Sequence, residues 1–93
     1  MPIKVSIPAP LRQYCDKKKQ LELDGDSVKS VLSSMSSEYS LLYSKICEED
    51  GSVRSYVNLY INGVDIKKMD GMDTALKETD AITIIPAVAG GNN

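Results

Sequence analysis

A single stretch of this 93-residue chain carries a full helical stripe, while four others alternate, and that imbalance most constrains its fold. Val28, Val31, Leu32 and Met35 stand at i, i+3, i+4 and i+7, one apolar face of one helix. Ile3, Val5 and Ile7, then Leu21 and Leu23, Val57, Leu59 and Ile61, and finally Ile82 and Ile84 recur at every second position, as in strands with one buried face. One amphipathic helix among several half-buried strands predicts an α+β domain in which a sheet buries one face against that helix. The other sheet face is then left for a partner. The final strand is apolar enough to sit centrally.

Turn chemistry sets the boundaries. Pro8 and Pro10 end the first strand, since each lacks a donor and restrains the residue before it. A loop through Lys17, Lys18 and Lys19 follows, and it reads as a solvated turn, with an acidic partner as the alternative. Asp26 or Ser27 is placed to cap the helix. Ser33, Ser34, Ser36 and Ser37, of indifferent helix propensity, predict fraying of its last turn. Leu41, Leu42 and Ile46 predict a short second helix plugging one end of the core, followed by a polar loop over residues 48–52. Asn62-Gly63 predicts a type I′ turn, whose two central residues need positive φ, between the Tyr56 to Ile61 strand and an edge strand over residues 64–66. Asp70-Gly71 marks another turn, and Thr74, Ala75 and Leu76 are expected to form a helical turn.

Composition excludes more than it selects. Hydrophobic residues at 42% and charged residues at 26% fit a globular domain, so disorder is not expected. A net charge of −2 argues against nucleic acid as partner. No apolar run approaches the ~18 residues of a membrane span, and no leader resembles a signal peptide, which predicts a cytoplasmic protein off the membrane. Cys15 and Cys47 are the only cysteines and there is no histidine, so no metal site is expected and the thiols are expected to stay reduced. The chain has no phosphate-binding glycine loop and no constellation for catalysing chemistry of its own; it is not expected to be an enzyme.

The chemistry is expected at the C-terminus, where residues 84–93 (IIPAVAGGNN) pass from a strand to small and polar residues. Pro86 is a natural place for pairing to stop. Gly90 and Gly91 lack a Cβ, so their backbone can enter a slot that excludes side chains. Alone this would equally describe a frayed Gly-rich end. In company with residues 80–91 (DAITIIPAVAGG), Val5-Ser6-Ile7-Pro8 with Leu11-Arg12, and residues 56–63 (YVNLYING), it resembles the ubiquitin-like sulfur carriers of the ThiS/MoaD family, and most closely those of CysO type.

The resemblance implies a ubiquitin-like β-grasp fold, a mixed sheet packed on one main helix, over residues 1–87, with residues 88–93 a flexible tail. It implies that an adenylyltransferase like the ubiquitin-activating enzymes uses ATP to adenylate the carboxylate of Gly91, next to Gly90, and that a sulfur donor or sulfurtransferase then turns it into a thiocarboxylate. No cofactor is held stably by the carrier. An acceptor synthase, cysteine synthase-like in CysO-type carriers, takes the sulfur; relatives serve molybdopterin, thiamin thiazole or secondary metabolites. A mature carrier ends at its second glycine, so Asn92-Asn93 reads as a removable extension cut at Gly91–Asn92 by a JAMM-type metalloprotease, or as an added remnant. Strand alternation puts Tyr60, Ile85, Asn58 and Thr83 outward, and together with Val88 they form the expected partner-docking residues. The alternatives are a modifier joined to lysines, a molybdopterin synthase small subunit, or a β-grasp interaction module with an inert tail.

Overall fold

The first alternating segment pairs with the second as a hairpin across the loop between them. In the computed structural model, which describes residues 2–86, β1 (Pro2–Ser6) and β2 (Gln20–Asp24) are antiparallel, with Ile3 opposite Leu23 and Val5 opposite Leu21. These four side chains are buried and face the helices. Between the strands lies a 3₁₀ helix, Ala9–Tyr14, where a plain loop was expected. Pro8 is its cap and Pro10 lies in its first turn, where a missing N–H costs nothing, so the residues that end β1 also open this turn.

Helix α1 (Val28–Glu38) buries all four stripe residues against the sheet. Ser27 is its cap: its hydroxyl accepts from the Ser30 N–H at 3.1 Å, while Ser30 Oγ accepts from the Ser27 N–H at 3.0 Å. Gly25 has to be glycine because a Cβ there would lie 2.6 Å from both the Val31 nitrogen and Val31 Cγ2. The expected fraying does not occur, and the helix runs to Glu38. Met35 is fully buried, its carbonyl accepts from the Tyr39 N–H at 2.7 Å, and Ser34 Oγ donates to the Asp24 carbonyl at 2.7 Å, so packing overrides propensity. Helix α2 (Ser40–Ile46) buries Leu42 and Ile46 one turn apart, whereas Leu41, a step round the helix, is 64% exposed and takes no part in the plug.

Strand β3 (Val57–Ile61) turns at Asn62-Gly63 into β4 (Val64–Asp65). Both turn residues have positive φ, 51° and 88°, as a type I′ turn demands. Ile66 belongs to the next turn, a 3₁₀ helix Ile66–Lys68. The helical turn expected at residues 74–76 forms earlier, at Gly71–Asp73. Residues 74–76 are extended because their backbone groups are taken by the helix start: Val28 N–H donates to the Thr74 carbonyl, Leu76 N–H donates to the Asp26 carbonyl, and Ser27 bridges Ala75. β5 (Ala81–Pro86) then enters the middle of the sheet, parallel to β1 and antiparallel to β3, giving the order β2-β1-β5-β3-β4. A mixed five-stranded sheet with the helices on one face is a ubiquitin-like β-grasp fold.

Candidate functional site

Alternation along β5 and β3 divides their side chains between two faces. Ile82, Ile84, Val57, Leu59 and Ile61 go into the core. Tyr60 stands opposite Thr83, and Asn58 opposite Ile85, in the antiparallel register. The four residues expected on the docking face are therefore two adjoining cross-strand pairs on the side of the sheet away from the helices. Ile85 is 45% exposed, an aliphatic side chain left at the surface beside Asn58, with Tyr60 and Thr83 half-buried.

Neighbours that strand alternation alone did not bring in complete this face. Parallel pairing sets Ser6 beside Thr83, and Gln20 follows Ser6 across β1 and β2. On the other side Asp65 stands opposite Tyr60. Lys67 Nζ donates to Asn58 Oδ1 at 2.9 Å and lies 4.0 Å from Asp65 Oδ2. Asn58 is thus held from outside its own strand, next to Ile85. A signal for Lys67 was present in the Asn62-Gly63 turn, which folds residues 64–67 back along β3.

Pro86, the last of the described residues, pairs opposite Val57. Val88, Gly90, Gly91 and Asn92, expected as docking, acyl and cleavage residues, lie outside the described residues, as does the 87/88 domain boundary. The rim at the far end of β5 is well bonded: Asp80 accepts from the Lys77 N–H and from the Asn62 amide, both at 2.8 Å, and the Ala81 N–H donates to Asn62 Oδ1. These bonds, the Lys77 N–H first, hold the Asp80 carboxyl below its ordinary range. Cys15 and Cys47 are free and buried, and burial pushes both thiols up, away from the reactive thiolate. Among the described residues no helix is long and apolar enough to cross a membrane, and no group of three or more Cys, Asp or Glu is disposed to hold a metal ion.

The fold and its exposed sheet face define a small ubiquitin-like domain whose last strand ends beside that face. Residues 5–91 match the ThiS family, and the chain belongs to that family. It is 34% identical to the sulfur carrier protein CysO of Mycobacterium tuberculosis over 98% of this chain and the whole of that one. A chain of the BexX/CysO complex of Amycolatopsis orientalis superposes with a TM-score of 0.87 at 30% identity, covering 96% of this chain and 99% of its own. Small archaeal modifier protein 3 of Haloferax volcanii is 43% identical over 73% of each chain. The chain is a sulfur carrier of the ThiS type, and like these small carriers it is not itself an enzyme.

Proposed function

We propose that the carrier works through the carboxylate of Gly91, released from Asn92 by hydrolysis of one peptide bond. The observation that carries this reading is the extent of the family match, which runs from residue 5 to Gly91 and leaves Asn92-Asn93 outside it. While Gly91 remains in a peptide bond it has no carboxylate to activate, so the full chain is a precursor. A metalloprotease of the JAMM type would hydrolyse the Gly91–Asn92 bond. The activating adenylyltransferase then joins the carboxylate to AMP and releases pyrophosphate, which turns an oxygen into a leaving group. Sulfur from a donor attacks the acyl carbon and expels AMP, leaving a thiocarboxylate. The carrier supplies the acyl end and the face around Tyr60 and Ile85 on which both the activating enzyme and the acceptor synthase would dock.

Cysteine is the product the CysO likeness favours, with a cysteine synthase-like acceptor. Two unpaired buried thiols suit a reducing compartment, and the cytoplasm is the reading that fits. Likeness to a Haloferax modifier protein favours a second reading, in which the Gly91 acyl group passes to a lysine amine of a target.

Intact mass spectrometry separates these outcomes. Incubated with the activating enzyme, ATP and a sulfur source, the full chain should not change mass, whereas a chain ending at Gly91 should exchange one oxygen for one sulfur. Conversion of the full chain with both asparagines still attached would place the chemistry elsewhere. High-mass conjugates surviving denaturation in cells would favour the modifier.

A further inference from the structure

Six of the eleven Lys and Arg residues gather at one end of the sheet: Arg12, Lys17, Lys18, Lys19, Lys45 and Arg54. It is the end at which β5 finishes. β1 runs parallel to β5, so the 3₁₀ turn that follows β1 and carries Arg12 sits at that end. Lys19 is there because its carbonyl accepts from the Ile7 N–H at 2.9 Å, one rung beyond the Ser6–Gln20 pair. Arg54 is there because Val57, which faces Pro86, donates to its carbonyl. Lys45 reaches the same corner from α2 and stands 5.2 Å from the centre of the Tyr14 ring. Asp16, Glu48 and Glu38, the last residue of α1 beside Tyr39, offset part of this charge, with Glu48 bonded to Arg54 at 3.0 Å. The opposite end, where β5 begins and β2 stops, carries Asp24, Asp26, Glu78 and Asp80 against Lys77 and against Lys29 in the first turn of α1.

The lysine loop is held in shape, which a merely solvated turn does not require. Asp16 and Lys17 are consecutive non-glycine residues with φ of 58° and 63°, a conformation that persists only where the surroundings impose it and that marks functional segments. Here the Lys17 N–H donates to the Arg12 carbonyl at 2.7 Å and the Lys18 N–H to the carbonyl of the buried Cys15. Lys18 Nζ lies 5.9 Å from the Tyr39 ring centre and 3.3 Å from its hydroxyl. Aromatic contacts of this kind keep a lysine charge at a set place while its head stays in water.

We infer that this basic end meets the activating adenylyltransferase around the mouth of the slot that takes the tail, and that the enzyme's rim there is acidic. The inference rests on the carrier reading proposed above. A chain of net charge −2 whose positive pole lies where β5 finishes would be turned by a local acidic rim so that this end arrives first, whereas a long polyanion is repelled by the chain's net charge and by its acidic far end.

The test uses the chain ending at Gly91 and the activating adenylyltransferase of the same organism, with pyrophosphate release followed at low and at high salt. Lys17→Glu/Lys18→Glu/Lys19→Glu should raise KM at least tenfold at low salt, leave kcat near its starting value, and abolish most of the salt dependence. Lys17→Gln/Lys19→Gln, which keeps the Lys18–Tyr39 contact, should show a smaller shift of the same kind and guards against misfolding. Glu78→Lys at the far end should change neither constant. No pyrophosphate release from the chain ending at Gly91 with its lysines intact would overturn the carrier reading itself. Release with KM indifferent to salt and to both lysine variants would overturn only the basic-end inference. So would an unchanged KM together with binding of a single-stranded oligonucleotide that the lysine variants lose, which would assign the loop to nucleic acid.

Discussion

Ile84 and Ile85 are neighbours in one strand, identical in chemistry, yet the first is 2% exposed and the second 45%. Leu59 and Tyr60 repeat the contrast one strand away. The helix-covered face and the open face of this sheet are built from the same few residues, and one step along the backbone moves a side chain from one to the other. Stability should therefore sit on the even positions of β5 and recognition on the odd ones. The proposed function gives a reason to keep these separate, since the enzymes proposed to dock on the open face would read it without disturbing the core.

The sharpest way to break that comparison is to truncate both isoleucines. Ile84→Ala removes most of a fully packed side chain and should cost about 2–5 kcal/mol, a large part of what a domain this size has. Ile85→Ala should change stability by less than about 0.5 kcal/mol, as surface substitutions do. Chemical denaturation measures both, and equal costs would mean that the open face is covered in solution.

The second test reads the other face. Ile85→Asp and Tyr60→Ala should weaken binding to the activating enzyme tenfold or more, about 1.4 kcal/mol, with the unfolding midpoint nearly unchanged. Isothermal titration against that enzyme decides it, and an unchanged affinity would remove Tyr60 and Ile85 from the proposed docking surface.

How much of this was legible depended on the range of the interaction that decided each feature. Alternation is local, so Val57, Leu59, Ile61, Ile82 and Ile84 could be assigned to the core, and Tyr60 and Ile85 to the open face, from the residues alone. The Asn62-Gly63 turn was legible for the same reason. Residues 74–76 were misread as helical because their hydrogen bonds go to Asp26 and Val28, almost fifty positions away, and no local pattern records that. The 3₁₀ turn at Ala9–Tyr14 was missed because proline both stops strands and starts helices, and only its stop signal was read. Lys67 entered the open face through a turn, and the basic end emerged only once β1 and β5 were known to run parallel. The acyl end rests on resemblance to known carriers and lies outside the described residues.

A third, smaller effect tests how the covered face keeps its helix. Ser27→Ala removes the acceptor for the Ser30 N–H and should cost about 1 kcal/mol. Ser30→Ala removes the reciprocal bond to the Ser27 N–H, and the double variant should lose less than the two single losses together, because each hydroxyl serves the same turn. Binding of the activating enzyme to the open face should be unaffected by either, since helix and docking face lie on opposite sides of the sheet.

The smallest expected effect belongs to the rim, which is part of neither face. Asp80 accepts from the Lys77 N–H and the Asn62 amide, and these bonds favour its charged form, placing its folded pKa below the ordinary 3.8. Asp50 is lowered in the same way, by the Ser52 hydroxyl and then the Ser52 N–H. For a carboxyl lowered on folding, the unfolded chain binds its proton first as acid is added. The stabilisation is therefore complete above the unfolded value and is lost as the pH falls through the folded one. Asp50 is exposed and Asp80 half-buried, so the slope should be shallow. Asp80→Asn with Asp50→Asn should have an unfolding midpoint close to the parent's at neutral pH and lose less than the parent does below about pH 4. Urea titrations at neutral pH and in acid would show this as two midpoints that draw closer together in the variant. If the parent and the variant fell in parallel, these two carboxylates would contribute nothing to acid sensitivity.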